Sequence, residues 1–280
     1  MITFKNHVFY IIILILLFAV SYYDTLGWMF GRYLSADSYY SHGFLIPFIS
    51  GYLIWEKRAK LGMLAAKPSN WGILVLLLGI LMLIAGRIGA ELFTMRFSLI
   101  ILLAGLILFV AGKDFFKALM FPLVFLIFMI PLPYIVYDSI AFPLKLFAAK
   151  CATYSLQLIG IPILREGNII VLASATLEVA DACSGIRSLI SLIALSVVYA
   201  YFTQKSKLKR IILVIASIPI AIIVNAFRVV VTGILAHYIG PETAHGFFHT
   251  FSGWLIFIIA FGLLLGLGFI VSKFPLRSYK

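Results

Sequence analysis

Three residues in this chain are of kinds that together could carry out acyl transfer: Cys183, Arg228 and His249. Cys183 stands in Asp181-Ala182-Cys183-Ser184-Gly185-Ile186-Arg187, where a polar loop gives way to an apolar run, and that junction reads as a helix start. The first N–H groups of a helix lack internal partners and carry partial positive charge, which favours a thiolate over a thiol. A thiolate attacks carbonyl carbon, an imidazole takes and returns a proton near neutral pH, and a guanidinium holds an oxyanion without losing its own charge. The plain alternative for Cys183 is packing, since free cysteine is among the most buried residue types.

Depth links the three. Arg228 lies in Asn225-Ala226-Phe227-Arg228-Val229, on an apolar run from Ile211 to about Tyr238. The 18 residues from the basic boundary at Arg210 to Arg228 span about 27 Å as helix, close to the hydrocarbon thickness. Arg228 is therefore expected at the depth of Cys183, and His249, just before the last apolar run, matches it. An arginine in such a run is expensive and implies a partner or a task, the alternative being snorkelling toward headgroups. Arg187, one turn after Cys183, could tune the thiol in place of Arg228, and Asp181, Ser184, Asn225, His245 and His42 complete the set of supporting polar residues. His245 and His249 are four apart, but Gly246-Phe247-Phe248 between them lacks the glutamate of a zinc-protease helix, so neither a metal nor another cofactor is expected. Cys151 sits among alanines without a helix start or a clear basic neighbour and reads as packing.

These residues need a membrane scaffold to hold them. Mean hydropathy is +1.14 and only 11% of residues are charged, with apolar runs from end to end. This composition describes an all-α integral membrane protein, and excludes an ordinary soluble core. The net charge of +12 collects in short connections between apolar runs, the mark of cytoplasmic loops, and no nucleic-acid-binding motif accompanies it. The first run, Val8 to Val20, is followed by Ser21-Tyr22-Tyr23-Asp24 with no Ala-x-Ala-like cleavage site, so it is expected to be retained.

About eight transmembrane helices are predicted: Val8 to Tyr23, Gly43 to Trp55, Trp71 to Ala85, Phe97 to Ala111, Ala118 to Ile130, Ser184 to Phe202, Ile211 to Tyr238, and Phe251 to Val271. The stretch between Tyr23 and Gly43 reads as a polar, aromatic loop. Tyr137 to Leu158, interrupted by Asp138, Lys145, Lys150 and Gln157, fits a helix lying in the interface or entering it only in part. Ile169 to Leu172 and Thr176 to Val179 read as a short β-hairpin before the Cys183 helix. With eight crossings both termini and every basic cluster, including Lys205 to Arg210, face the cytoplasm, and the hairpin, Cys183 and the His249 loop face outward. No repeat or linker divides the chain, so residues 1–280 are expected to form a single integral domain.

Asp181-Ala-Cys-Ser-Gly-Ile-Arg-Ser-Leu189, Asn225-Ala-Phe-Arg228 and His249-Thr-Phe-Ser-Gly-Trp254 together resemble the exosortase and archaeosortase family. Ser41-His-Gly-Phe44, Phe121-Pro-Leu123, Ile130-Pro-Leu-Pro133 and Arg165-Glu-Gly-Asn168 extend the resemblance over nearly the whole chain. The resemblance implies a polytopic transpeptidase of the bacterial inner membrane. Its substrates would be exported proteins with a C-terminal signal similar to Pro-Glu-Pro, then a transmembrane helix and a basic cluster. By the same resemblance Cys183 is the nucleophile, Arg228 the oxyanion or substrate stabiliser and His249 the acid/base; the acceptor nucleophile is not identified. The competing classes are a membrane thiol acyltransferase acting on lipid or polysaccharide, and a transporter with Arg228 and Asn225 on its pathway.

Overall fold

The computed structural model describes residues 4–35, 38–172, 176–179, 185–240 and 246–274, with backbone alone for 4–15 and 246–250. The chain folds as two compact units, Met1–Pro133 and Tyr134–Lys280.

In the first unit, helix α1 runs from Phe4 to Leu34. The sequence reading ended it at Tyr23, and the structure corrects this. No proline interrupts the segment, and Tyr22, Thr25, Met29 and Tyr33 recur at helical spacing as a buried stripe. Trp28 and Arg32 therefore belong to a helix and not to a loop. A 3₁₀ turn at Ser41–Phe44 leads into α2, Leu45–Glu56, and the short α3, Arg58–Gly62.

Helices α4, Trp71–Ile88, and α5, Leu92–Val110, form a tight antiparallel pair. Gly72, Gly79 and Gly86 stand seven residues apart along α4, and each meets α5 almost backbone to backbone. A Cβ at these positions would overlap Phe109 N, and would lie 2.7 Å from the Leu102 side chain and 2.7 Å from Met95 N. Small residues of this kind let membrane helices approach closely. Helix α5 starts five residues earlier than the sequence suggested because Glu91 caps it, its carboxylate accepting from Phe93 N at 3.1 Å and Thr94 N at 2.6 Å. Helix α6, Lys113–Phe125, continues into a 3₁₀ turn at Leu126–Met129 and stops at Pro131, as expected for that proline cluster.

The second unit opens with α7, Tyr134–Leu158, a continuous helix despite its polar residues. Its alanines explain the continuity: Ala148, Ala149 and Ala152 face a core shared with Val229 and Ala236 of α9, Lys207–Tyr238. Strands β1, Ile163–Glu166, β2, Ile169–Leu172, and β3, Thr176–Glu178, follow as an antiparallel sheet of order β1-β2-β3. The expected two-stranded hairpin is thus a three-stranded sheet. The missed strand is β1, joined to β2 through Gly167-Asn168 with Glu166 paired to Ile169. Gly167 has φ +64° at the first central position, the demand of a type II′ turn.

Helices α8, Ile186–Thr203, and α10, Gly246–Lys273, pack with α9 through Leu189, Leu192, Leu213, Val224, Ala260 and Leu264. At the basic end, Arg210 donates to Gln204 O at 2.7 Å and Tyr201 O at 3.2 Å, and Gln204 donates to Gly268 O at 3.2 Å. These bonds fix the three helices in register where the chain turns.

By length and composition, α4, α5, α8, α9 and α10 can each cross a bilayer. Lys113–Met129 and Tyr134–Leu158 meet the same standard only when counted together as one broken span. The protein is an integral membrane helical protein. Helix α2, of 12 residues, and α6, of 13, are shorter than the roughly 17 needed to span on their own, although both fall where crossings were expected.

Replacing Gly72 by Ala forces the α4–α5 backbones apart and is expected to destabilise the detergent-solubilised protein by about 1–3 kcal/mol, the range for overpacking. Gly51→Ala, on α2 with open space around it, is expected to be neutral or slightly stabilising. Equal thermal midpoints for the two variants would show that the hairpin is not sterically locked.

Candidate active site

Helix α9 is the element on which the described part of the site is built. Arg228 is 8% exposed, and Asn225, one turn earlier, is 4% exposed. The Arg228 backbone is tied down by Thr232, whose hydroxyl donates to Arg228 O at 2.9 Å. Its guanidinium is held from α10: Nε donates to Ser252 Oγ at 3.1 Å, and a Cβ at Gly253 would lie 3.6–3.7 Å from the guanidinium atoms. Arg228 is therefore an anchored interior group, and the snorkelling alternative does not describe it.

Asn225 faces α8. Gly185 caps α8 with φ +77°, and a Cβ there would lie 2.6 Å from Asn225 Cγ. Both the left-handed backbone and the close side chain require glycine at this point. Gly185 O also accepts from Leu189 N at 2.8 Å and from Ser188 Oγ at 2.8 Å, which closes the first turn of α8. The sequence expected a helix start immediately after Cys183, and α8 begins at Ile186. At the end of β3, Val179 N donates to Asn168 O at 2.9 Å and the Asn168 amide donates to Val179 O at 3.3 Å. The Arg165-Glu-Gly-Asn168 piece thus ties down the end of β3.

Asp181, Cys183, Ser184 and His245 lie outside the described residues, and His249 is described by its backbone alone. His249 is the fourth residue of α10, which starts at Gly246. The expectation that it precedes the helix is corrected: the first turn of α10 forms across Gly246-Phe247-Phe248. Ser252 lies inside the helix one turn after His249, where it receives Arg228. Sequence reasoning missed that role, although a serine three residues from a histidine on one helix was a signal. Arg187, second in α8, is half-buried, as is Cys151, whose neighbours Ala149 and Ala152 face the core. Among the described residues no group of three or more His, Cys, Asp or Glu is arranged to hold a metal ion.

His42 belongs to the first unit. Its ring lies 5.6 Å from that of Tyr40, whose hydroxyl accepts from Leu132 N at 3.0 Å; Tyr33 donates to Met129 O at 2.6 Å. A Cβ at Gly43 would strike the Tyr33 ring at 2.5 Å. The Ser41-His-Gly-Phe44 and Ile130-Pro-Leu-Pro133 pieces are thus packed together as scaffold. Burial pushes the His42 imidazole down to about 4, against a hydrogen bond with the Phe128 backbone that pulls the other way. Between pH 6.5 and about 4 the unfolded chain binds a proton that the folded chain refuses, so stability falls as pH falls through that window. Wild type is expected to lose on the order of 3 kcal/mol there, and His42→Gln to flatten the dependence. Thermal midpoints measured against pH check this, and identical slopes for the two proteins would contradict it.

No curated protein and no solved structure matches the chain. A family model described as transmembrane exosortase (Exosortase_EpsH) matches residues 32–266, running through both compact units and every part of the site described above. The chain belongs to the transmembrane exosortase family.

Proposed function

We propose that the protein is a membrane-embedded cysteine transpeptidase in which Cys183 is the nucleophile, Arg228 stabilises the oxyanion and His249 is the acid/base. The observation that carries this reading is the double attachment of α9. Asn225 packs on Gly185, two residues after Cys183, and Arg228 is bonded to Ser252, three residues after His249. Two residues of extended chain reach no further than about 7 Å, and residues three apart on a helix share a face. Asn225 and Arg228 are themselves one turn apart. One short stretch of helix therefore serves both the nucleophile's loop and the imidazole's helix.

The chemistry follows from these roles. The Cys183 thiolate attacks the scissile carbonyl carbon, and the resulting oxyanion is held by the Arg228 guanidinium. His249 donates a proton to the departing amine as the C–N bond breaks, leaving a thioester. An acceptor amine, or water, then gives its proton to His249 and attacks the thioester, which releases the thiolate. Family membership supports protein substrates with sorting signals. The proposed signal is C-terminal: a Pro-Glu-Pro-like motif, a transmembrane helix and a basic cluster. The working arrangement is one integral domain, residues 1–280, in the bacterial inner membrane. Both termini are in the cytoplasm and the site faces outward.

In a processing assay Cys183→Ala is expected to abolish cleavage while the protein still accumulates, and Cys151→Ala to leave it near normal. His249→Ala is expected to cost at least about a hundredfold, the scale of general acid–base contributions, and His245→Ala less than about tenfold. Ser252→Ala, which leaves Arg228 Nε without its acceptor, is expected to lower turnover about tenfold, with Ser252→Thr recovering most of it. Full processing by Cys183→Ala would sink the mechanism; equal severe losses at both histidines with inhibition by chelators would favour a metalloenzyme.

Sidedness has its own test. A membrane-impermeant thiol reagent applied to intact spheroplasts is expected to label a single cysteine placed at Glu242 but not one at Lys207, because the basic cluster around Lys207 belongs inside. The reverse pattern would overturn the outward-facing site.

A further inference from the structure

In the first unit a second arginine is buried without any of the supports that Arg228 has. Arg96, in the second turn of α5, is 4% exposed and makes no ion pair or hydrogen bond among the described residues. Its Nε and Nη2 are closed off from solvent and unpartnered. These two nitrogens form one edge of the guanidinium, the fork that grips a carboxylate or phosphate through two parallel bonds. Trp28 of α1 covers the face of the group at 3.7 Å, and its indole is 46% exposed. Cation–π stacking attracts the cation but leaves the N–H edge unsatisfied.

Among the described residues the surroundings are short of negative charge and contain a second orphan. Thr25, one turn before Trp28 on α1, is 2% exposed with its hydroxyl unpartnered. Close by, Tyr22 and Ser98 share a hydrogen bond of 2.6 Å, which fixes α1 against α5. Arg32 lies within electrostatic reach of Arg96, and Arg87 donates to Ser21 O at 2.8 Å, so α1, α4 and α5 each bring an arginine to this end of the unit. Among the described residues the acid in reach is Glu91, whose oxygens are already committed to Phe93 N and Thr94 N. A buried, unpaired cation is strongly disfavoured and calls for an anion.

We infer that the Arg96 fork, with Thr25 and Arg32, is a binding site for the phosphate of a membrane lipid, uncovered when the Trp28 indole swings aside. Location decides for lipid over a soluble anion. The arginines stand at the end of the α4–α5 pair opposite Lys67 and Lys113, at the edge of exposed apolar residues that include Ile84, Ile88 and Leu92. That is the level at which headgroup phosphates and interfacial tryptophans lie. The positive charge at this end is also what the rule of basic cytoplasmic loops leaves unexplained.

The test is native mass spectrometry of the full-length protein in detergent, titrated with phosphatidylglycerol, diacylglycerol, inorganic phosphate or an acidic peptide. Wild type is expected to retain one phosphatidylglycerol that Arg96→Lys binds at least tenfold more weakly. Lysine keeps the charge over Trp28 but lacks the fork. Thr25→Val is expected to weaken binding about threefold. Arg58→Gln, which removes the exposed arginine stacked on Trp55 at the other end of the unit, is expected to change nothing. Diacylglycerol should not bind, and inorganic phosphate should compete only in large excess. Equal lipid retention by wild type, Arg96→Lys and Thr25→Val would overturn the inference. So would Arg96-dependent binding of the acidic peptide in place of the lipid, or inorganic phosphate binding as tightly as phosphatidylglycerol.

Discussion

A guanidinium that cannot shed its proton has been placed inside an apolar helical bundle, and the second unit is organised around accommodating it. Arg228 would be intolerable there without fixed partners. Ser252 supplies an acceptor at 3.1 Å, and Gly253 leaves room for the planar group to lie against α10. For that bond to persist, α9 and α10 must hold their register along their length, which Leu213, Val224, Ala260 and Leu264 achieve by packing and Gln204 and Arg210 by hydrogen bonds at the far end. The alanine face of α7 and Gly233, against which Leu156 packs, bring α7 close on another side of α9. A lysine could not substitute without loss, since only guanidinium offers a directed Nε–H to Ser252.

Much of this was legible because membrane insertion makes hydropathy a strong signal. Helices α4, α8 and α9 fall within about four residues of their expected limits. What the sequence concealed has identifiable causes. Helix α1 outlasts its apolar run because burial on one face, through Thr25, Met29 and Tyr33, needs no continuous hydrophobicity. Strand β1 escaped notice since Ile163 to Glu166 alternates too briefly to stand out, and only the positive φ at Gly167 turns it back on β2. Ser252 was not singled out as a site residue, and α10 begins before it, at Gly246. Its pairing with Arg228, 24 positions away, depends on two helices meeting, which no local pattern encodes.

The two units use their polar pieces differently. Around His42 the imidazole is kept neutral by burial, and Tyr33 and Tyr40 stitch the 3₁₀ turn to the segment before Pro133. That packing builds the scaffold of the first unit. Around Arg228 the polar groups of Ser252 and Thr232 hold the guanidinium and its backbone in place. Arg96 is a third case, a buried fork with no protein acceptor among the described residues, and its demand for an anion ties the first unit to the lipid around it.

The central claim is that Cys183 carries the acyl group. Intact mass spectrometry of the purified protein, mixed with a substrate bearing its C-terminal signal and quenched in acid, tests it directly. The mechanism predicts a mass increase equal to the substrate's N-terminal fragment, mapped to Cys183, released by hydroxylamine and missing from Cys183→Ala. Processing that proceeds with no such adduct, or with the adduct on Cys151, would contradict it.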